Sequence, residues 1–209
     1  MSKNILILGN GGHARSVLDT VFATNSYDKV GIVVDEMSNG DELIVGIDED
    51  LPNLFKSGWN MAFVAVGSVG DVSTRQKLYK TIKDIGFAVP SIVDPSAIVS
   101  EKSVLKDGIF VGKGAIINSN VFLDECAIIN SGAIIEHDCK IGKFVHVSTG
   151  AVLCGGVVID ECSHVGAGSV IREYIEIGKY SLCGAGSVVV SNIPDYSKGF
   201  GNPFRVLKL

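Results

Sequence analysis

The sequence has no Cys-x-x-Cys pair, a single tryptophan, only five prolines and no apolar run of membrane length, and each shortage excludes a class of protein. Without closely paired thiols the usual zinc-site spacing is missing, and no metal is expected. The five cysteines, Cys126, Cys139, Cys154, Cys162 and Cys183, are odd in number and follow no export signal, so reduced thiols are expected. The first apolar stretch, Ile5 to Leu8, ends in a polar glycine turn and is too short for a signal h-region or a membrane span. A cytoplasmic protein with no membrane insertion is therefore expected. Positive charge is short as well. With 18 Lys and Arg against 23 Asp and Glu, the net charge of −5 argues against a reader of the phosphate backbone, so no nucleic-acid partner is expected.

Glycine is plentiful, at 25 residues, and 46% of the 209 residues are hydrophobic, enough to bury a sizeable core. The glycines are used differently on either side of Pro90. Two domains are expected, spanning 1-90 and 91-209.

In the first domain, residues 4 to 8 (NILIL) form a fully buried strand. Gly9-Asn10-Gly11-Gly12-His13 follows directly, and then a helical pattern through Val17, Leu18, Val21 and Phe22. A second strand, Val30 to Val34, ends at Asp35-Glu36, about where a Rossmann-type unit places an acid near a ribose. A third strand, Met61 to Val66, ends at Gly67, and Asp71 to Ile85 reads as a helix carrying Arg75, Lys77 and Lys80. The pattern is an α/β unit, Rossmann-like, with a short parallel sheet. Its glycine turn and the helix N-terminus after it suit a phosphate, although an ordinary tight turn would look the same. About ninety residues are half of a two-lobed dinucleotide fold, so a mononucleotide or nucleotide-sugar fits better than NAD. His13 has two readings of equal weight: a turn residue satisfied by backbone, or a phosphate contact.

The second domain repeats every six residues without insertion from Ile92 to Ser187. The second column of the repeat is almost wholly aliphatic, from Val93, Val99 and Leu105 through to Ile177, and the sixth is mostly Ala, Ser, Val or Cys. Period six belongs to a parallel β-helix, in which three short strands close one triangular coil and an aliphatic side chain from each points inward. Sixteen hexads give just over five coils. Residues eighteen apart then stack at about 4.8 Å, the inter-strand spacing.

That modulus places the chemistry. Cys126 and Cys162 share a column two coils apart and the other cysteines fall in three different columns, so the thiols cannot converge on a metal or a disulfide within one chain. His146 and His164 stack one coil apart on one edge of the prism, whereas His137 lies nine residues before His146, half a coil, on the opposite side. The two can serve one site only if neighbouring subunits each supply one, which calls for a homotrimer with active sites between subunits. Glu136-His137-Asp138 interrupts an apolar run, and an imidazole beside carboxylates suits general-base work. Gly155 stacks directly above His137, where a backbone N–H could meet a developing oxyanion. Cys139 is the alternative, a nucleophile two residues from His137, although the small-residue column places it at a packed corner.

The whole chain resembles the bacterial sugar acetyltransferases that join a small nucleotide-binding domain to a left-handed β-helix. The family includes UDP-4-amino-sugar N-acetyltransferases of the bacillosamine type and sialic acid O-acetyltransferases. The resemblance rests on GNGGH (Gly9 to His13), Asp35-Glu36, IIEHDC (Ile134 to Cys139), GKFVHVS (Gly142 to Ser148) and GNPFR (Gly201 to Arg205). It implies a left-handed prism and acetyl-CoA as co-substrate. It also implies that His137 takes a proton from the amine of a UDP-linked amino sugar and that Asp138, where Glu is usual, orients it. His146 would lie near the thioester, Gly155 would donate to the acetyl carbonyl, and the tail with Arg205 would reach the CoA. Asn130 would lie near the acceptor sugar, Gly11, Gly12 and His13 near its phosphates, and Asp35 and Glu36 near its nucleoside. Sialic acid O-acetylation, acetyl transfer to serine, and a non-catalytic trimer that binds nucleotide-sugars are the competing expectations.

Overall fold

A computed structural model describes residues 2–36 and 41–207. Strand β1 (Asn4–Leu8) is buried along almost its whole length and lies between β2 (Lys29–Val34) and β4 (Met61–Val64), with β3 (Ile44–Ile47) beyond β2. All three pairings are parallel, as expected of strands covered on both sides. Helix α1 (Gly12–Thr24) starts straight after the glycine turn, in which Gly9 holds φ +112°. Helix α3 (Ser73–Ile85) buries Arg75, Leu78 and Ile82 on one face and stops at Gly86 in the left-handed conformation, a common helix end.

Two details differ from expectation. The third expected strand stops at Val64, and β3, a 3₁₀ turn (Asp48–Asp50) and helix α2 (Leu51–Lys56) fill a stretch for which no element was expected. The helix is six residues long with a proline in its first turn, too short to carry a periodic signal.

Beyond Ile92 the chain forms a prism. Seventeen two-residue strands, from Ile92–Val93 to Val188–Val189, recur at six-residue spacing on three parallel faces, one more than the sixteen hexads of the repeat and one short of six coils. The inward column is the core: Val111, Ile117, Leu123, Ile129, Ile135, Ile141, Val147 and Leu153 are all fully buried. Cutting one such Leu or Ile to Ala would cost about 2–5 kcal/mol. At the corners every sixth residue from Gly108 to Gly186 takes positive φ, including the non-glycines Asn120, Cys126, Asp138 and Phe144. Phe204 folds in from the tail as a buried cap on the last coil.

Outward residues of a prism normally meet water. The first face, which carries Ile92, Phe110, Ile128, His146 and His164, instead holds three buried apolar side chains packed against Ile5, Ile7, Ala14, Val17 and Phe63. The α/β domain therefore sits on that face, and the two units share a core.

Candidate active site

His137 lies at the corner where the second face (strand Ile134–Ile135) turns into the third (strand Lys140–Ile141). The next residue, Asp138, holds φ +62°, a conformation that Asp tolerates better than most residues. The bend brings the short carboxylate back to the ring, with Asp138 Oδ2 2.8 Å from His137 Nδ1. Asn120, one coil below, donates to Asp138 Oδ1 at 3.2 Å. These two hydrogen bonds, that to His137 the larger influence, hold the Asp138 carboxyl below the usual carboxylate range, so it is ionised at neutral pH. An ionised acceptor at Nδ1 puts the proton there and leaves Nε2 of this half-exposed ring free to accept one.

The glycine above is filled by the histidine itself. A Cβ on Gly155 would stand 2.6 Å from both Cε1 and Nε2 of His137, so only glycine allows the ring to lie flat over that coil. The N–H of Gly156 is spent on the His137 carbonyl at 2.8 Å, while that of Gly155 donates to no carbonyl among the described residues. A free backbone donor of Gly155 thus lies beside the ring of His137.

His146 is on the first face, not an edge, and under the α/β domain. Its Nδ1 is 3.0 Å from the carbonyl of Ser68, in the loop after β4, and its Nε2 is 3.3 Å from Asn130 Nδ2. The ring meets His164 edge-on, with centroids 4.8 Å apart. His164 is buried, with Nε2 3.2 Å from Ser148 Oγ, and burial followed by the nearby His146 lowers its pKa to about 4. Burial also lowers that of His146, against the bond to the Ser68 carbonyl, which raises it, and with a smaller help from the Arg75 cation. His13 packs edge-on to Phe110 at 5.1 Å, and burial, His146 and Arg75 together lower it to about 3. These three imidazoles are neutral at physiological pH.

A cavity of about 420 Å³ opens over the C-terminal ends of β1, β2 and β4, lined by Gly9 to His13, Asp35, Asp48, Gly67 and Thr74. This is where a nucleotide is expected in an open parallel sheet. Gly11, Gly12, His13 and Asp35 line it as expected, but Glu36 does not. Asp48 does, from the unanticipated 3₁₀ turn, and burial followed by the neighbouring acids Glu49 and Asp35 raises its pKa.

Residues 4–82 match the family described as the PglD N-terminal domain. Over the whole chain, a variant of perosamine N-acetyltransferase from Caulobacter crescentus, solved with CoA and GDP-perosamine, is 33% identical. The match covers 98% of this chain and 97% of that one at a TM-score of 0.92. The acetyltransferase domain of PglB from Neisseria gonorrhoeae, in complex with acetyl coenzyme A, is 29% identical over 99% and 100% of the two chains, with a TM-score of 0.93. The chain belongs to the sugar N-acetyltransferases. WeeI from Acinetobacter baumannii, 22% identical over 98% and 99% at a TM-score of 0.86, shares the fold.

Two residues of this N-acetyltransferase lie away from that corner's chemistry, and the packed-corner reading of Cys139 is the one the structure bears out. Cys139 is fully buried, its thiol donates to the Cys154 carbonyl at 3.2 Å, and burial pushes its pKa up to about 11, so the structure gives it no nucleophile's setting. Arg205 is exposed beside Phe204, whose carbonyl it reaches at 3.0 Å, and the tail seals the prism end through Phe204. Sequence reading missed Asp48, Thr74 and the buried Arg75. The last was legible, because Arg75, Leu78 and Ile82 fall on one helical face at i, i+3 and i+7. Among the described residues no helix of the N-acetyltransferase is long and apolar enough to cross a membrane.

Proposed function

We propose that the enzyme transfers the acetyl group of acetyl-CoA to the amine of a nucleotide-linked amino sugar, a UDP-4-amino-4,6-dideoxy sugar, by direct attack with His137 as general base. The observation that carries this reading is the His137 corner: a base fixed by an ionised Asp138 at 2.8 Å, its ring lying where a Gly155 Cβ would be, beside an unspent backbone N–H. Acetyl-CoA, when bound, supplies an activated acyl group and a thiolate leaving group. His137 Nε2 takes the proton that the amine loses as its nitrogen bonds to carbon, a role worth on the order of 10²- to 10⁴-fold in rate. The Gly155 N–H donates to the carbonyl oxygen as charge builds there, and Asp138 stabilises the imidazolium that results. The proton then passes to the departing sulfur.

The acceptor's nucleotide lies in the cavity over the glycine turn, with its phosphates at Gly11, Gly12 and His13 and its nucleoside near Asp35 and Asp48. Glu36, adjacent in sequence, completes the acidic rim. His146 and Asn130 meet the reacting groups from the opposite wall, and Arg205 lies at the CoA end. Because His137 and His146 occupy a corner and the opposite face of one prism, the working unit is a homotrimer in which adjacent subunits face these groups towards each other. The likeness to an enzyme solved with GDP-perosamine supports a GDP-linked amino sugar as the competing acceptor.

The test is thiol release from acetyl-CoA against UDP- and GDP-linked amino sugars, free sialic acid and serine, together with sedimentation. Turnover with a nucleotide-linked amine by a trimer is expected. Turnover with sialic acid or serine alone, or a fully active monomer, would overturn the reading.

A further inference from the structure

Arg75 lies on α3, is 2% exposed and has no carboxylate against it among the described residues. A buried cation without an anionic partner costs stability, and an apolar side chain beside Leu78 would dock the helix more cheaply. The guanidinium instead reaches across the domain boundary. Its Nη2 donates to the Cys126 carbonyl and its Nη1 to the Phe144 carbonyl at 3.2 Å, on successive coils of one corner. Nη1 also donates to Ser68 Oγ at 3.3 Å.

Ser68 belongs to a loop with little else to hold it. Gly67, Ser68, Val69 and Gly70 donate no backbone hydrogen bond to another backbone group among the described residues, and Val69 is 72% exposed. The loop's anchors are the bond from Arg75 to the Ser68 hydroxyl and the bond from His146 to the Ser68 carbonyl. A carbonyl only accepts, so His146 carries its proton on Nδ1. The other side agrees independently. Asn130 Oδ1 accepts the Ser131 N–H at 2.8 Å, which turns Asn130 Nδ2 towards His146 Nε2 as donor, so Nε2 is unprotonated.

We propose that Arg75 is a positioning residue: by anchoring Ser68 it holds His146 as the neutral tautomer protonated on Nδ1, and so keeps Nε2 as the acceptor that orients the Asn130 amide. The proposal rests on the reading that the His146–Asn130 pair faces the substrates. Without the fork, the Ser68 carbonyl has no fixed place, the ring can turn or move its proton to Nε2, and Asn130 loses its acceptor. The groups facing His146 are the Ser68 carbonyl, which raises its pKa, Arg75, which lowers it to a smaller extent, and His13, His164 and Asn130.

The experiment labels the four histidines with ¹⁵N and reads the ring-nitrogen shifts of His146 in the wild type and in R75Q, alongside kcat, the two KM values and the melting temperature. In the wild type the Nδ1–H pattern is expected. In R75Q a mixed or Nε2–H pattern is expected, with kcat lower by roughly 10-fold and KM for the nucleotide-sugar within about twofold, as for small misplacements near a reacting centre. R75K keeps the charge but not the fork and should fall between; it carries the same readings if R75Q does not fold. An unchanged tautomer in the variants overturns the proposal, even if turnover falls. A changed tautomer with undiminished turnover upholds the positioning of His146 and overturns instead the reading that the pair serves the reaction.

Discussion

His137 and His146 lie nine residues apart on the same repeat, yet they are built in opposite ways. His137 is half exposed at a corner, and everything that shapes it comes from its own turn or the coils directly above and below: Asp138, Asn120 and Gly155. His146 is on a face, half-buried, and its fixed geometry comes from a loop nearly eighty residues earlier in the chain. The first can respond to a substrate without disturbing the core. The second reports the relation between two domains. A base needs the first kind of setting and a fixed hydrogen-bonding group the second, which is the division of roles proposed for the two histidines.

If that contrast is right, His137→Ala gives the largest loss. Turnover should fall at least ~10²-fold, because the base goes. The inward column is untouched, so the melting temperature should barely move. Near-normal turnover with a nucleotide-linked amine would show that the corner is not the reacting centre. Next in size, Gly155→Ala drives a methyl into the ring of His137, which must swing away from its place. A drop of roughly 10- to 100-fold in kcat is expected from a displacement on the ångström scale, with the acceptor's KM little changed. Unimpaired turnover would mean that the ring's position over Gly155 is incidental.

The corner was legible in the sequence and the face was not, for a physical reason. Period eighteen converts residue number into height and column, so the stacking of Gly155 on His137, the pairing of His146 with His164 and the burial of Cys139 all follow from arithmetic. Docking of the α/β domain obeys no such rule. Phe110 and Ile128 gave no sign of it, because Ile98, Val104, Ile116 and Phe122 hold the same outward column on the other faces; the one sign was Arg75, on the apolar face of its helix beside Leu78 and Ile82. Helix α2 and the 3₁₀ turn with Asp48 are too short for periodicity to register, so one wall of the cavity over the glycine turn could not be foreseen.

Gly12→Asp separates the cavity from both histidine sites. A Cβ at Gly12 meets open space, its nearest neighbour being Arg15 Nη2 at 3.9 Å, and an acid at a helix N-terminus is electrostatically favourable. The fold should therefore tolerate the change. A bound phosphate should not, because a carboxylate would occupy the site of an anion. Calorimetry is expected to record at least a ~10-fold weaker Kd for the nucleotide-sugar, about the 1.4 kcal/mol that like-charge repulsion readily supplies at a partly buried site, and an unchanged Kd for acetyl-CoA. Loss of acetyl-CoA binding instead would place the donor in the α/β domain and remove the division of labour.

The smallest effect tests the buried side of the contrast through acid. His13 and His164 are held near 3 and 4 against an ordinary 6.5, first by burial, so in the folded protein they stay neutral where the unfolded chain would protonate them. The unfolded state then binds more protons, and stability falls as pH falls. Their contribution is whole above pH 6.5 and declines towards pH 4, with each histidine adding at most about 1.4 kcal/mol per pH unit to the slope. The carboxylates that folding favours in ionised form, Asp71, Asp94 and Asp138, have lowered values and contribute only below their ordinary range, so the fall in stability from pH 6.5 to 4.5 belongs to the imidazoles, opposed by Asp48, whose raised value makes it bind a proton more readily folded than unfolded. His164→Gln should flatten the melting-temperature slope over that interval, measured at one protein concentration to hold assembly fixed. It should do so without touching the His137 corner, so turnover at neutral pH should fall far less than in His137→Ala. Equal slopes in variant and wild type would mean that His164 is protonated in the folded protein, and the neutral imidazole row beneath the α/β domain would have to be abandoned.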